Sequence, residues 1–456
     1  MVHDSPWPTS GVPLKPHHLF AALTLSALGQ ELPLLATGMA RIRLIAADEG
    51  NSRLLEIVDP GNHSWCLQSS TDLGSWSDGP RYRVFNGALR IPAPGAGPQH
   101  FFRLNPDLAE PLPSTAADAL RLPGAPFNYA NLALTAAFLS NSSGSDNQPL
   151  DNVVTDAGAA LGRVLFYDKR LSANQTVSCS SCHQREHGFA DPRPLSVGFG
   201  GTHTGRNSMG LTNARFYRNG RFLWDERAAT LEEQVLMPIQ DPVEMGLPLP
   251  VLIERLEAEP FYRELFTTAF GTAEIDSTRI SRALAQFIRS IASTKSKFDA
   301  GITINFSNFT TQEAQGRALF TAFSCAVCHM GQNFIPLRPR ANGLEFPLID
   351  TGLGEVSDDP ATDGLFKVTS LRNIELTAPY MHDGRFQTLE EVVEFYNSGI
   401  SDHPNLDPSL RKFAKPQGMN LSAGQKAALV AFLKTLTDTS VTSDEKFSDP
   451  FRYQAE

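Results

Sequence analysis

Two features are missing from this sequence, and each absence argues against a class of protein. The 456 residues contain no run of about 20 apolar side chains, so we expect no membrane-spanning helix. Basic residues are not in excess, since the net charge is −10, and nucleic-acid binding through a basic face is therefore not expected. A single hydrophobic core does not extend over a chain of this length, so two or three domains are predicted.

Cysteine is also scarce, and its positions carry the strongest signal in the sequence. Four of the five cysteines lie in two Cys-x-x-Cys-His motifs, Cys179-Ser-Ser-Cys182-His183 and Cys325-Ala-Val-Cys328-His329. In a c-type haem attachment site the two thiols bond to the haem vinyl groups, and the following histidine supplies an imidazole to the iron. Zinc sites and thioredoxin-type motifs do not require that histidine. The repeated motif therefore predicts a protein with two covalently bound haems.

The first 40 residues allow two interpretations. Leu19–Leu28 has the length of a signal-peptide apolar segment, and Gly38–Ala40 is a candidate end for it. However, Glu31 interrupts the apolar stretch and the leader has no strongly basic start, which is typical of a poorly packed N-terminal arm. Because c-type haem is attached outside the bacterial cytoplasm, we expect an exported, periplasmic protein.

Residues 41–105 have a different pattern from the rest of the chain, which predicts a small all-β sandwich module. The predicted strands are Arg41–Ala46, Leu54–Val58, Ser64–Ser69, Arg81–Phe85 and His100–Leu104. The turns between them are placed at Asp59–Asn62, Asp78–Pro80 and Pro92–Pro98. The fifth cysteine, Cys66, is expected to be a buried thiol. Residues 106–117, rich in proline and polar side chains, are predicted to form a linker.

From about residue 118 onward the pattern indicates helices joined by long loops. Thr155 is predicted to cap a helix that leads to the first haem motif. Thr310 and Ser422 each precede a Glu or Gln by three residues, which predicts capping boxes before the second motif and before a closing helix. The predicted fold is mainly α, with two cytochrome c-like haem domains after the β module. Their bounds are 118–305 and 306–440, followed by a tail at 441–456.

Four further motifs accompany the haem motifs, namely Leu165–Ser172, Phe222–Ala228, Leu231–Gly246 and Thr377–Gly384. With them, residues from about 150 to 440 resemble the bacterial di-haem cytochrome c peroxidase and MauG-like family. The resemblance implies two haem domains and hydrogen peroxide as the substrate. The chain departs from the family at Glu226, where the family usually has Gly after Trp-Asp.

Gln234, Pro238 and Glu244 match the peroxide pocket that the family has at its N-terminal haem. Cleavage of a peroxide O–O bond needs a base that moves a proton from the near oxygen to the departing one. A carboxylate with a raised pKa in a closed pocket is suited to this. Gln234 is expected to orient the peroxide, and Pro238 to shape the pocket without adding a donor. The alternative for Glu244 is a solvated side chain on a surface loop.

Trp224 matches the tryptophan that lies between the two haems in the family, where an indole relays electrons between the irons. On residue type alone, a core tryptophan in an aromatic cluster is the simpler interpretation. The surrounding Phe-Leu-Trp-Asp motif favours the relay.

Tyr396 lies where the family places the sixth ligand of the second haem, and this ligand is Met in the peroxidase branch and Tyr in the MauG-like branch. A phenolate stabilises high oxidation states, whereas a thioether favours Fe(II). Leu389, Val392, Val393 and Tyr396 also follow helical spacing, so a core role for Tyr396 is the alternative. Met381 and Met419 are competing ligands.

Asn207, Thr377 and Pro379 match the calcium site of the family, which combines one side-chain oxygen with backbone carbonyls. Oxygen donors of this kind suit Ca²⁺ completed by waters. His203 is a candidate removable ligand of the first haem, but its spacing differs from that of the peroxidases that use such a histidine. We therefore expect an ordinary loop histidine.

Three functions remain open. In the first, a peroxidase draws electrons from a small redox protein, a cytochrome c or a cupredoxin. In the second, the electrons come from residues of a protein substrate, as in MauG-like enzymes. In the third, the protein is a non-catalytic di-haem electron carrier or haem sensor, and Glu244 and Gln234 have no catalytic role.

Overall fold

The computed structural model describes residues 41–46, 53–59, 64–71, 75, 77–83, 87–92, 101–105, 119–132, 134, 138, 145–336 and 338–452. The predicted leader at 1–40 and linker at 106–117 lie outside these residues, as does the side chain of Cys66. Contacts divide the chain into two units, Met1–Pro111 and Leu112–Glu456.

The first unit contains two antiparallel sheets of three strands, in the orders β1-β2-β5 and β4-β3-β6. Alternate residues such as Leu55 and Ile57 on β2, and Phe102 and Leu104 on β6, are buried, as expected when one face of a sheet is covered. The strands are β1 Arg41–Ala46, β2 Arg53–Asp59, β3 Ser64–Ser70, β4 Ser77–Arg83, β5 Gly87–Pro92 and β6 Phe101–Asn105. The packing of the two sheets as a sandwich stays a prediction.

Two details of the predicted β pattern were wrong. Asp78–Pro80, predicted as a turn, lies inside β4, and the run Gly87–Pro92 forms a strand that was not predicted. Among the described strands β4 pairs only with β3, and the register shifts between Cys66 and Gln68. Proline is tolerated on such an edge strand because it need not donate to a second neighbour. Turn-forming residues therefore gave a misleading signal here.

The second unit is mainly helical, as predicted. Its helices are α1 Asp156–Tyr167, α2 Cys179–Cys182, α3 Leu231–Gln234, α4 Met237–Gln240, α5 Leu249–Glu257, α6 Pro260–Phe270, α7 Ser277–Ser290, α8 Lys297–Ile302, α9 Thr311–Ala322, α10 Cys325–Cys328, α11 Leu353–Ser357, α12 Leu389–Glu394, α13 Ala423–Lys434 and α14 Ser440–Ser443. A π-helical turn, Phe395–Gly399, continues α12. Short 3₁₀ turns lie at Lys169–Leu171, Arg185–His187, Ala214–Phe216, Pro360–Thr362, Ile374–Leu376 and Glu445–Phe447. No helix in the described part of the chain is both long and apolar enough to cross a membrane.

The predicted helix caps are confirmed. The hydroxyl of Thr155 accepts a hydrogen bond of 3.0 Å from the backbone N–H of Gly158. Thr310 with Glu313 and Ser422 with Gln425 form reciprocal capping boxes at the starts of α9 and α13. These two capping boxes set the first residues of α9, which leads to the second haem motif, and of α13, which closes the second half.

The helical unit uses the same construction twice. In each half, a long helix leads into a Cys-x-x-Cys turn and crosses a later helix at a glycine. A Cβ on Gly162 of α1 would clash with the carbonyl oxygen of Ala283 in α7, and one on Gly316 of α9 would clash with that of Ala428 in α13. Only glycine permits this close approach, which places each Cys-x-x-Cys turn against its own core.

Each half has its own hydrophobic core. The first is built around α1, α6 and α7 and the second around α9, α12 and α13. Phe298, before the predicted boundary at 305, packs in the second core. Val441 and Phe447, from the predicted tail, pack in the first core, and Tyr167 donates a 2.6 Å hydrogen bond to the carbonyl oxygen of Phe447. The end of the chain thus packs against the first half. The bounds of the two haem domains stay predictions.

The helix crossing yields a stability prediction. Gly316→Ala should lower the free energy of unfolding by about 1–3 kcal/mol, because the new methyl group forces the two helices apart. Gly424→Ala, at the start of α13, is the matched control, since its Cβ would meet no atom within 4 Å. Denaturant unfolding of both variants measures the difference. Equal stabilities would contradict the close packing of α9 on α13.

Candidate active site

The two Cys-x-x-Cys-His motifs adopt the same local structure. Each pair of cysteines spans one helical turn, α2 or α10, and the backbone N–H of His183 or His329 closes it with a 2.9 Å hydrogen bond to the first cysteine. All four thiols are free. Burial raises the pKa of Cys179 and of Cys325 to about 12, so these thiols are protonated at neutral pH. In the described residues, no cluster of three or more His, Cys, Asp or Glu has the arrangement of a metal site, so nothing there supports a zinc site.

Both motif histidines are held in one orientation by the backbone. His183 Nδ1 lies 2.9 Å from the carbonyl oxygen of Phe189, and His329 Nδ1 lies 3.2 Å from that of Phe334. A carbonyl can only accept, so Nδ1 carries the proton and Nε2 remains as the electron-pair donor. Burial lowers the pKa of His183 and takes that of His329 to about 4, which keeps the imidazoles neutral. Two thiols and one such nitrogen in each half fit a c-type haem.

Each motif histidine borders a cavity. The His183 cavity has a volume of about 900 Å³, and the His329 cavity, which is mainly apolar, has one of about 230 Å³. The two cavities share part of their lining, here called the shared wall: Asn207, Met209, Gly210, Thr212, Trp224 and Lys367–Ser370. Trp224 therefore borders both cavities, while its predicted position between two haems stays a prediction.

Trp224 is fixed by hydrogen bonds at both its side chain and its backbone. Its indole Nε1 donates to the carbonyl oxygen of Asn207 at 2.7 Å, and its own carbonyl accepts from the backbone N–H of Lys367 at 2.8 Å. Its ring centroid lies 6.4 Å from that of His382, edge to face. The indole is half-buried, so it is not the centre of an aromatic core.

Gln234, Pro238 and Glu244 line the His183 cavity together. Gln234 ends α3, Pro238 lies in α4, and Glu244 follows in the turn that leads to Met245. Burial raises the pKa of Glu244 to about 7; the charge of Asp241 adds to this effect and that of Arg227 opposes it. A carboxyl group with this pKa can both accept and release a proton near neutral pH. Glu244 is thus half-buried on the cavity, and its catalytic role stays a prediction.

Tyr396 lines the His329 cavity from the π-helical turn after α12. The side-chain nitrogen of Asn342 lies 3.5 Å from Tyr396 Oη and also 3.5 Å from Met381 Sδ. Asn342 Oδ1 accepts from Leu344 N–H at 3.1 Å, which points the amide nitrogen at these two side chains. Met419 borders the same cavity. The structure thus brings the competing ligands together and does not select among them.

Asn207, Thr377 and Pro379 all border the His329 cavity. Asn207 is buried, and its amide nitrogen donates to the carbonyl oxygens of Arg193 and Pro194, each at 3.1 Å. This orientation leaves Asn207 Oδ1 directed away from those carbonyls. His203 is exposed and borders neither cavity, which agrees with a loop histidine.

Sequence reasoning missed an ion-pair cluster at the His183 cavity. Arg206 pairs with Asp225, with Asp350 at 2.7 Å and with Glu355 at 3.2 Å, and Arg227 pairs with Asp225 at 2.7 Å. The partners come from both halves of the unit and are up to 149 residues apart. No local pattern signals such a pairing. The cluster ties Asp350 and the start of α11 to the edge of the cavity.

A second missed cluster surrounds Glu226. Tyr217 donates a hydrogen bond to Glu226 Oε1, and Asn219 donates one of 2.5 Å to Oε2. Lys367 Nζ lies 3.2 Å from the centroid of the Tyr217 ring and donates to the carbonyl oxygen of Arg221 at 2.6 Å. The sequence signal that could have led to this cluster is Glu226 itself, noted above as a departure from the Gly expected after Trp-Asp.

With this geometry in place, comparisons with known proteins identify the class of protein. The family profile described as di-haem cytochrome c peroxidase matches residues 156–305. The chain is 36% identical to the methylamine utilization protein MauG of Methylorubrum extorquens over 292 residues, which are 63% of this chain and 80% of that protein. It is 32% identical to the cytochrome c551 peroxidase of Nitrosomonas europaea, covering 67% and 89%.

A solved structure agrees. The crystal structure of a MauG-like protein associated with microbial copper homeostasis superposes with a TM-score of 0.59 at 36% identity, covering 66% of this chain and 95% of that one. The chain is thus an oxidoreductase, a di-haem peroxidase. It belongs to the di-haem cytochrome c peroxidase and MauG family, a membership that implies haem cofactors, hydrogen peroxide and a redox partner, and the predicted resemblance is confirmed.

Proposed function

We propose that this protein binds one c-type haem through Cys179, Cys182 and His183 and a second through Cys325, Cys328 and His329, and that hydrogen peroxide is reduced in the His183 cavity. The observation that carries the proposal is Glu244, whose raised pKa belongs to a carboxyl group on the same cavity as His183. A haem bound there supplies the iron at which the peroxide O–O bond breaks. A non-catalytic carrier or sensor would have no need of a buried base in this position.

The residues of the His183 cavity then have distinct roles. Ionised Glu244 takes a proton from the near oxygen of peroxide and returns it to the departing oxygen, which leaves as water. Gln234 offers an amide that orients the peroxide. Pro238 fills part of the wall without adding a donor that would compete for the substrate.

Trp224 is proposed to carry electrons between the two haem sites. It lies in the shared wall, and its indole N–H is already bonded to Asn207. This hydrogen bond holds the ring in place and gives its proton an acceptor. The two oxidising equivalents from one peroxide can then be shared between both halves.

The electron source defines two versions of the function. A small cytochrome c or cupredoxin is one candidate donor, and residues of a protein substrate are the other. Tyr396 favours the second version, because its phenol borders the His329 cavity beside the amide of Asn342. Burial raises the pKa of Tyr396 to about 12, so it ligates as phenolate only if the iron displaces its proton.

Three further proposals complete the account. Asn207, Thr377 and Pro379 are proposed to hold one Ca²⁺, and metal analysis that finds no calcium in the purified protein would contradict this. Residues 41–105 are proposed to form a β-sandwich module. The protein is proposed to be exported to the periplasm, because its haems are covalently attached; fractionation of the source cells tests this location.

Glu244 gives the direct test of the proposed reaction. In the wild type, the rate of reaction with peroxide should rise with pH through about 7, since only the ionised carboxylate accepts a proton. Glu244→Gln should slow the reaction by roughly 10²-fold and flatten this pH dependence. Stopped-flow haem absorbance measures both. Glu233→Gln, which alters a carboxylate outside the cavity, is the control. If Glu244→Gln keeps the wild-type rate and pH profile, the role of Glu244 is refuted.

Tyr396 and Met381 give a matched pair of variants for the second haem. If Tyr396 is the ligand, Tyr396→Phe should convert the His329 haem from low-spin to high-spin ferric iron or bring in an adventitious ligand, while Met381→Leu leaves it unchanged. The resting potential of that haem should also be low, because phenolate favours the ferric state. EPR and redox titration decide this. Loss of the low-spin signal in the Met381→Leu variant alone would favour the simple peroxidase.

A further inference from the structure

A buried tyrosine–carboxylate pair lies on the His183 cavity and has no part in the mechanism above. Tyr217 lines this cavity, and both Tyr217 and Glu226 are 2% exposed. The phenol donates to Glu226 Oε1 while the amide of Asn219 donates to Oε2. Because the side-chain nitrogen of Asn219 can only donate and Tyr217 donates to the other oxygen, both oxygens of Glu226 accept, as those of a carboxylate do.

Two features of the Glu226 position are unfavourable for a buried glutamate. Its backbone has a φ of 55°, the left-handed region in which the Gly usual in the family has no steric penalty. Burial also raises the pKa of its carboxyl group, which makes it a stronger base than a surface glutamate. A carboxylate that faces a phenol under these conditions is a good proton acceptor.

Lys367 packs on the ring of Tyr217. Its Nζ lies 3.2 Å from the centre of the tyrosine ring, and its backbone N–H bonds to the carbonyl oxygen of Trp224 in the shared wall. Burial lowers the pKa of Lys367 well below its ordinary value, while the charge of Glu226 opposes this shift. In so buried a site, loss of an electron alone would leave an unsolvated positive charge on the phenol. Oxidation is favourable only if the phenolic proton leaves with the electron, and Glu226 is placed to take it.

We propose that Tyr217 and Glu226 form a redox-active pair that stores one oxidising equivalent. The oxidant is the haem centre after it has reacted with peroxide, so the inference rests on the proposed function. One electron passes from Tyr217 to that centre, the O–H bond breaks, and the proton moves to Glu226 Oε1. This leaves a neutral tyrosyl radical and a neutral carboxylic acid. A one-electron donor then restores the phenol, and Glu226 returns the proton.

The pair also extends towards the surface. Asn219, whose amide holds the other carboxylate oxygen, is exposed, as is Arg218 next to the tyrosine. Tyr217 thus lies between the cavity and an exposed loop, 218–220. This gives a donor at that loop a route to the first half that does not pass through the His329 haem.

The experiment is freeze-quench EPR of the holoprotein after one equivalent of hydrogen peroxide, with haem absorbance followed in parallel. The wild type should show a radical signal whose hyperfine structure narrows when the protein contains ring-deuterated tyrosine. Tyr217→Phe should abolish this signal. Glu226→Gln keeps the ring but removes the proton acceptor, so the radical should form roughly 10²-fold more slowly.

Tyr262 supplies a matched control. It is also buried and donates to a carboxylate, Asp168, at 2.5 Å, but it does not line the His183 cavity. Tyr262→Phe should leave the radical signal unchanged.

The outcomes separate this inference from the proposed function. If peroxide alters the haem absorbance but no tyrosine radical forms, or if the radical persists in the Tyr217→Phe variant, the redox role of the pair is refuted and the peroxidase function stands. Normal radical formation in Glu226→Gln refutes Glu226 as the proton acceptor. If peroxide leaves the haem absorbance unchanged, the proposed function fails, and the inference fails with it.

Discussion

The hydrogen bond from the indole of Trp224 to the carbonyl oxygen of Asn207 fixes the boundary between the two halves of the helical unit. The backbone N–H of Asn207 in turn donates to the carbonyl oxygen of His382 at 2.6 Å. Together the two hydrogen bonds join three distant segments. Asn207 and Trp224 border both cavities, and His382 borders the His329 cavity. A shift of Trp224 would alter the peroxide pocket on one side and the Tyr396 site on the other.

The repeated glycine crossing explains how one fold carries two different sites. Gly162 and Gly316 let the helix before each Cys-x-x-Cys turn approach its partner at the backbone, and each motif histidine then bonds to a nearby carbonyl. The same scaffold therefore holds two imidazoles in the same manner. What differs is the rest of the lining of each cavity, which includes Glu244 in one half and Tyr396 with Met381 in the other. In the proposed function, these side chains give the two halves different roles.

Local signals predicted the parts of the structure that depend on local chemistry. The haem motifs, the caps at Thr155, Thr310 and Ser422, and the mainly helical character needed only short-range patterns, and the family resemblance added the common lining of Gln234, Pro238 and Glu244. The first half of β4 was assigned to a turn because an edge strand tolerates the turn residues within it.

Contacts between distant segments could not be predicted from the sequence. The pairing of Arg206 with Asp350, the return of Phe447 to the first core, and the position of Lys367 over Tyr217 each join segments more than 100 residues apart. Helical periodicity predicted a core role for Tyr396, and the family resemblance predicted a ligand. Tyr396 packs against the second core and also lines the His329 cavity, so the structure does not separate the two predictions.

The central claim is that peroxide reacts in the His183 cavity and that Trp224 shares the oxidising equivalents with the second haem. The direct measurement is stopped-flow absorbance of both haems after one equivalent of peroxide, in the wild type and in Trp224→Phe. In the wild type, the absorbance of both haems should change at the same time. In the variant, the absorbance of the His183 haem should change first and that of the His329 haem later. Simultaneous changes in the variant, at the wild-type rate, would contradict the account.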